Sequence, residues 1–130
     1  MAAVVAVALA MAVVAAGCSS GTKSRPTSPA HITIVTPANS STVTGPNVPL
    51  VVKVTGARIV HTIAPATRGD IGHVHVQVDG VYIPMLYKAT ATLTGLKPGV
   101  HTVTAEFVGT DHLFFANRPM ASVVFTVKAP

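Results

Sequence analysis

Histidine is the densest chemical signal in this chain: six occur in 130 residues. Two of them, His73 and His75, stand two apart in Gly72-His73-Val74-His75. On a strand, that spacing sends both imidazoles from one face, with their backbones about 7 Å apart. Two such imidazoles chelate a Zn or Cu ion when a third or fourth ligand reaches them from elsewhere. Asp111 and His112 are the best candidates for that role, in the Pro- and Phe-containing stretch Val108 to Met120. If this stretch folds back over the strand, His73, His75 and His112 converge. Met85 and Met120 would add the thioether sulfur that Cu(I) favours. The competing reading makes the same residues ordinary: exposed strand histidines, and loop side chains that hydrogen-bond the backbone and fix its shape.

The remaining histidines read differently. His101 follows Pro98-Gly99-Val100 and is in phase with Val103, Ala105 and Phe107. That phase points it inward at the end of a core, where an imidazole bonded to turn backbone orients the turn. His31 and His61 fall at strand edges and carry no argument. Asp79-Gly80 has the composition of a hairpin turn. Only Asp70, Asp79, Glu106 and Asp111 are acidic, and no two are spaced as an acid–base couple. No Gly-x-Ser-x-Gly elbow occurs, and the Gly-rich segments lack a strand–loop–helix setting for phosphate. The chain reads as a non-enzyme.

The elements that must position these groups are strands. Ile32 and Ile34; Leu50, Val52 and Val54; Val74, Val76 and Val78; Ala89, Ala91 and Leu93; Val103, Ala105 and Phe107; and Val123, Phe125 and Val127 each alternate with other, mostly polar residues. These period-two runs are bounded by Pro, Gly, Asn or Asp, whereas no sustained helical period follows residue 18. About seven short strands predict an all-β, antiparallel sandwich over residues 31–130, each strand giving one face to the core. Tyr82 and Tyr87 bracket the apolar Ile83-Pro84-Met85-Leu86. With Phe114 and Phe115 this segment forms either a binding patch or part of the core.

Compartment is written at the other end. Ala2 to Ala16 is an unbroken run of Ala, Val, Leu and Met that stops at Gly17-Cys18-Ser19-Ser20. A short apolar run ending in small residues and Cys reads as an export signal with a lipobox, residues 1–17, and Cys18 as the acceptor of the lipid. Ala15 stands where such boxes usually carry Leu. A plain secretory signal or a short core helix is the alternative. Residues 18–30 (Cys18, then SSGTKSRPTSPA) have nothing large to bury and read as a flexible tether. The expected location is extracytoplasmic, anchored to the cell membrane. Cys18 is the sole cysteine, so the domain folds without a disulfide even in a compartment that permits them.

The net charge is +5, but the nine Lys and Arg residues are scattered and form no stripe. Nucleic-acid binding needs a concentrated basic footprint, so it is excluded as a function class.

Pro37-Ala38-Asn39-Ser40-Ser41-Thr42-Val43, followed by the run Leu50–Thr55, resembles the opening of bacterial immunoglobulin-like domains. Thr94-Gly95-Leu96-Lys97-Pro98-Gly99-Val100-His101-Thr102-Val103 is similar to their turn between the fifth and sixth strands. Gly72-His73-Val74-His75, Asp79-Gly80 and Asp111-His112 further resemble uncharacterised exported bacterial lipoproteins with a histidine-bearing immunoglobulin-like domain. The resemblance implies a fold and no activity. Copper-zinc superoxide dismutases invite comparison through Gly-His-Val-His, but Thr104 and Glu106 stand where their paired histidines would follow the turn. Two functions remain. One is an interaction module that docks an envelope protein or cell-wall polymer through the Tyr82–Tyr87 segment or the Val108–Met120 stretch. The other is a Cu- or Zn-binding module built on His73, His75, His112 and Asp111.

Overall fold

Valine and threonine dominate the alternating runs, and their β-branched side chains favour a pleated, half-buried surface over a helix. A computed structural model describes residues 23–130. The expected export signal, residues 1–17, and Cys18 lie outside the described residues. Nine strands run in the order β1 (His31–Thr36), β2 (Thr42–Thr44), β3 (Val48–Thr55), β4 (Arg58–Ile59), β5 (Ile71–Val78), β6 (Val81–Tyr82), β7 (Thr90–Leu93), β8 (Gly99–Val108) and β9 (Met120–Lys128). They form a three-stranded sheet, β1-β3-β7, and a six-stranded sheet, β2-β9-β8-β5-β4 with β6 beside β5. The expected β-sandwich is the architecture found. The short strands β2, β4 and β6 raise the count above seven. Two pairings, β2 with β9 and β4 with β5, are parallel rather than antiparallel.

The alternation sorts side chains as expected. Ile32, Leu50, Val52, Val74, Val76, Leu93, Val103, Phe107, Val123, Phe125 and Val127 are buried between the sheets. Burial of each large apolar side chain contributes about 1.5–3 kcal/mol relative to exposure. Phe115 joins this core and stacks on Phe107 with ring centroids 5.8 Å apart. It is therefore a packing residue, not part of an external patch. Tyr82 stays exposed, while Ile83 and Leu86 pack against the core, so the Tyr82–Tyr87 segment divides between the two readings.

The folded body begins before residue 30, inside the stretch expected to be a tether. Ser28 and Ala30 are buried, and Ser28 Oγ donates to the Gly69 carbonyl at 2.5 Å. Pro26 accepts from the Ala116 amide at 3.0 Å. Arg25–Ala30 belong to the folded body because the chain there satisfies its polar groups against distant loops rather than water.

Candidate functional site

The outer face of the six-stranded sheet carries the chemistry. Strand pairing sets His73 opposite Val108, His75 opposite Glu106, and Glu106 opposite Met120. Val74 and Val76 point into the core, so the pleat sends His73 and His75 outward. Outward does not mean exposed, because loops cover this part of the sheet. His73 is 0% accessible. The segment after β4 supplies the Thr62 carbonyl, 2.9 Å from His73 Nε2. Tyr87 meets the His73 ring edge-on at 4.7 Å, and the loop between β8 and β9 brings His112 to 4.8 Å, centroid to centroid.

The tautomer of His73 follows from this geometry. A carbonyl only accepts, so Nε2 carries the proton and donates to Thr62. Nδ1 is then a bare lone pair, buried and without a hydrogen-bond partner among the described residues. Nδ1 of His75 is likewise buried without a partner among them. Unsatisfied buried polar atoms are few in folded proteins and call for a physical account. Burial pushes both imidazoles below their ordinary pKa; for His73 the neighbouring histidines add to this, and for His75 the Glu106 carboxylate opposes it. Both are neutral near pH 7, the form that binds metal ions.

Of the residues anticipated as ligands, three lie on this face. His73 and His112 are in contact, and His75 sits two residues along the same strand, edge-on to Tyr82 at 5.2 Å and Phe114 at 6.1 Å. Asp111 does not join them. Its carboxylate is taken bidentately by Arg25, at 2.5 and 3.0 Å, which holds it below the usual carboxylate range. Among the described residues no group of three or more His, Cys, Asp or Glu side chains is placed to hold a metal ion. Met120 does reach the area: with His75, Tyr82, Glu106 and Arg118 it lines a recess of about 150 Å³. Glu106 is buried at its floor, and Arg118 pairs with it through two 2.9 Å bonds while lying over the Phe114 ring.

Sequence reasoning set His61 aside, placed Tyr87 only in the apolar Tyr82–Tyr87 segment and left Arg25 in the tether. The His61 ring packs at a tilt on Tyr87, 4.3 Å between centroids, and the Tyr87 hydroxyl stands 3.5 Å from His112 Nε2. Nothing local marks either residue, because they reach the site on loops whose course is set by distant contacts.

No protein-family model matches the chain, and no curated protein matches it. Among solved structures, the fibronectin(III)-like modules of Clostridium thermocellum CbhA superpose with a TM-score of 0.50 at 17% identity, over 75% of this chain and 94% of that one. An engineered protein gives a TM-score of 0.46 at 21% identity, over 78% of this chain and 20% of that one. The CARDB domain of the Pyrococcus furiosus PF1109 protein, in complex with di-metal ions, gives 0.42 at 16%, over 84% and 99%. The domain is an immunoglobulin-like β-sandwich. Fold at this distance carries no activity, so function must be argued from the site.

Proposed function

We propose that this protein is a non-catalytic binding module, held outside the cytoplasmic membrane by a lipid on Cys18, whose ligand is a Cu or Zn ion. The observation that carries the reading is the buried, unpartnered Nδ1 of His73, with its other ring nitrogen engaged by Thr62 and His112 alongside. A fixed tautomer with one nitrogen bonded to a carbonyl and the other free is how metal-ligating histidines are oriented. His73 and His112 form the nucleus of the site. The remaining donors come from solvent, since no third protein side chain of the usual ligand types joins the pair among the described residues.

The test is direct titration of the full chain, purified in detergent, with Zn(II) and with Cu(I) under reducing conditions. Stoichiometric binding that disappears in His112→Ala supports the reading; wild-type binding no tighter than that variant's overturns it. Anchoring is checked separately by incorporation of labelled fatty acid, which Cys18→Ser must abolish.

A second reading rests on a different observation. Tyr82 and Met120, each 51% exposed, and Phe114, 37% exposed, surround the recess beside His75. Exposed aromatic and Met side chains around a small recess suit an envelope protein or wall polymer. Tyr82→Ala with Met120→Ser would remove such docking and leave metal binding unchanged.

A further inference from the structure

The metal reading depends on where the loop between β8 and β9 holds His112. Gly109–Pro119 is tied internally by His112 N to Gly109 O and Gly109 N to Leu113 O, both 2.9 Å, and Thr110 is bonded to Ala64. His112 also adopts φ 65°, a left-handed conformation that costs free energy in a non-glycine residue. Such a conformation persists only when surrounding contacts impose it.

Those contacts come from the other end of the chain. The Arg25 guanidinium binds Asp111 bidentately, donates from Nε to the Phe114 carbonyl at 2.9 Å, and from Nη2 to the Leu113 carbonyl at 3.1 Å. It thus grips the Asp111 side chain before His112 and two backbone carbonyls after it. The grip continues along the segment: Pro26 O accepts from Ala116, and Ser28 and Asn117 exchange two bonds at 2.9 and 2.8 Å. Two glycines make room for it. A Cβ on Gly109 would stand 2.7 Å from Asp111 Oδ1, and one on Gly69 would stand 2.0 Å from the Thr27 carbonyl.

We infer that residues 25–30 are a strap that positions His112 against His73, with Arg25 as its principal positioning residue. Arg25 touches no ligand; it acts through the loop. The inference rests on the metal reading for its consequence, but its geometry is independent of any ion. Because the strap follows directly on the segment that begins at Cys18, attachment to the membrane and the shape of the site share one stretch of chain.

The test uses full-length chains carrying Arg25→Ala, Asp111→Ala, both together, His112→Ala, and Lys53→Ala as a control, since Lys53 is exposed on β3 in the other sheet. Two readouts are taken: amide hydrogen exchange over residues 110–116 in metal-free protein, and affinity for Zn(II). Arg25→Ala is expected to speed exchange at least tenfold in that loop and to weaken Zn(II) about tenfold. The double variant should be no worse than either single one, and Arg25→Ala should have no further effect in a His112→Ala background. Lys53→Ala should change neither readout. Unchanged exchange at 110–116 overturns the strap whatever the metal data show. Wild-type affinity in Arg25→Ala, with a loosened loop, overturns the positioning role. A loosened loop in a protein whose wild type binds no Zn(II) or Cu(I) overturns the metal reading alone.

Discussion

Two histidine regions of this molecule differ in one respect, the fate of their ring nitrogens. At the β8 corner, His101 Nδ1 donates to Asp79 at 2.6 Å and Nε2 to the Lys97 carbonyl at 2.7 Å. Both nitrogens face acceptors, so the imidazolium is the form that fits. Asp79 is fixed in turn by the Thr102 amide at 2.8 Å. On the outer face of the same sheet, His73 has one nitrogen on a carbonyl and the other on nothing. A satisfied histidine explains itself as structure, whereas one with a buried free lone pair requires a ligand or a role. Residue type is identical in the two places. The difference lies in which acceptors the fold brings.

The sharpest way to break this comparison is to remove histidines one region at a time. His112→Ala, which leaves the half-buried loop able to fold, should lower affinity for Zn(II) by more than about 100-fold, beyond the roughly 10–100-fold that loss of a supporting partner costs. His101→Ala should leave that affinity unchanged in the same competition titration. Equal losses would mean that the two regions are one functional unit.

Stability gives the converse. His101→Ala and Asp79→Ala should each cost about 1 kcal/mol at pH 6 in denaturant unfolding, a hydrogen bond to a charged group reduced by Asp79's solvent exposure. The double variant should cost less than the sum of the two, as expected for residues in contact. Strict additivity would dissolve the pair.

Acidity separates the regions further, through slopes of opposite sign. Hydrogen bonds to Lys97 and Asp79 raise the His101 pKa. Its contribution is therefore complete below about pH 6.5, the unfolded value, and is lost as pH rises through the folded value. Bonds from Thr102 and His101 lower Asp79 below 3.8, so its contribution is present above that value and lost as pH falls through the folded one. For His73 and His75, burial depresses the pKa, and the fold loses stability as pH drops below about 6.5 toward their folded values. Thermal unfolding followed from pH 5 to 8 should show His101→Ala flattening the curve above about 6.5. His75→Gln should flatten it below that pH. A single variant that flattens both limbs would contradict the division.

The smallest effect is expected at Tyr87. Its hydroxyl lies 3.5 Å from His112 Nε2, the outer limit of a hydrogen bond. Tyr87→Phe should keep the ring contact with His73 and alter Zn(II) affinity by less than about threefold, with stability within about 0.5 kcal/mol. A larger loss in the titration would give the hydroxyl a place among the ligands.

Much of this was legible in the chain itself. Val74 and Val76 declare the buried face of β5, and so place His73 and His75 on the other. The phase of His101 with Val103 and Phe107 points it to the corner, where it does bond the turn backbone at Lys97. Asp79 and Gly80, with φ of 52° and 82°, form the tight turn their sequence announces. Asp111 was misjudged because its neighbour His112 suggested a shared purpose. Its true partner, Arg25, lies 86 residues away in a stretch whose composition resembled a solvated tether. Phe114 and Phe115, adjacent and identical in type, part company: one lies under Arg118 at the surface and the other stacks in the core.

Alternation is a local property: successive side chains on a strand leave opposite faces whatever the rest of the chain does. The sequence alone therefore determined the six alternating strands, their inner faces, the hairpin and the corner histidine, but not the short strands β2, β4 and β6. Tertiary structure decided what covers the outer face: which loop crosses β5, which carbonyl takes the His73 proton, and which cation neutralises Asp111. Those choices depend on contacts between residues far apart in sequence, where ion pairs and loop paths compete over the whole folded body. No local spacing encodes them.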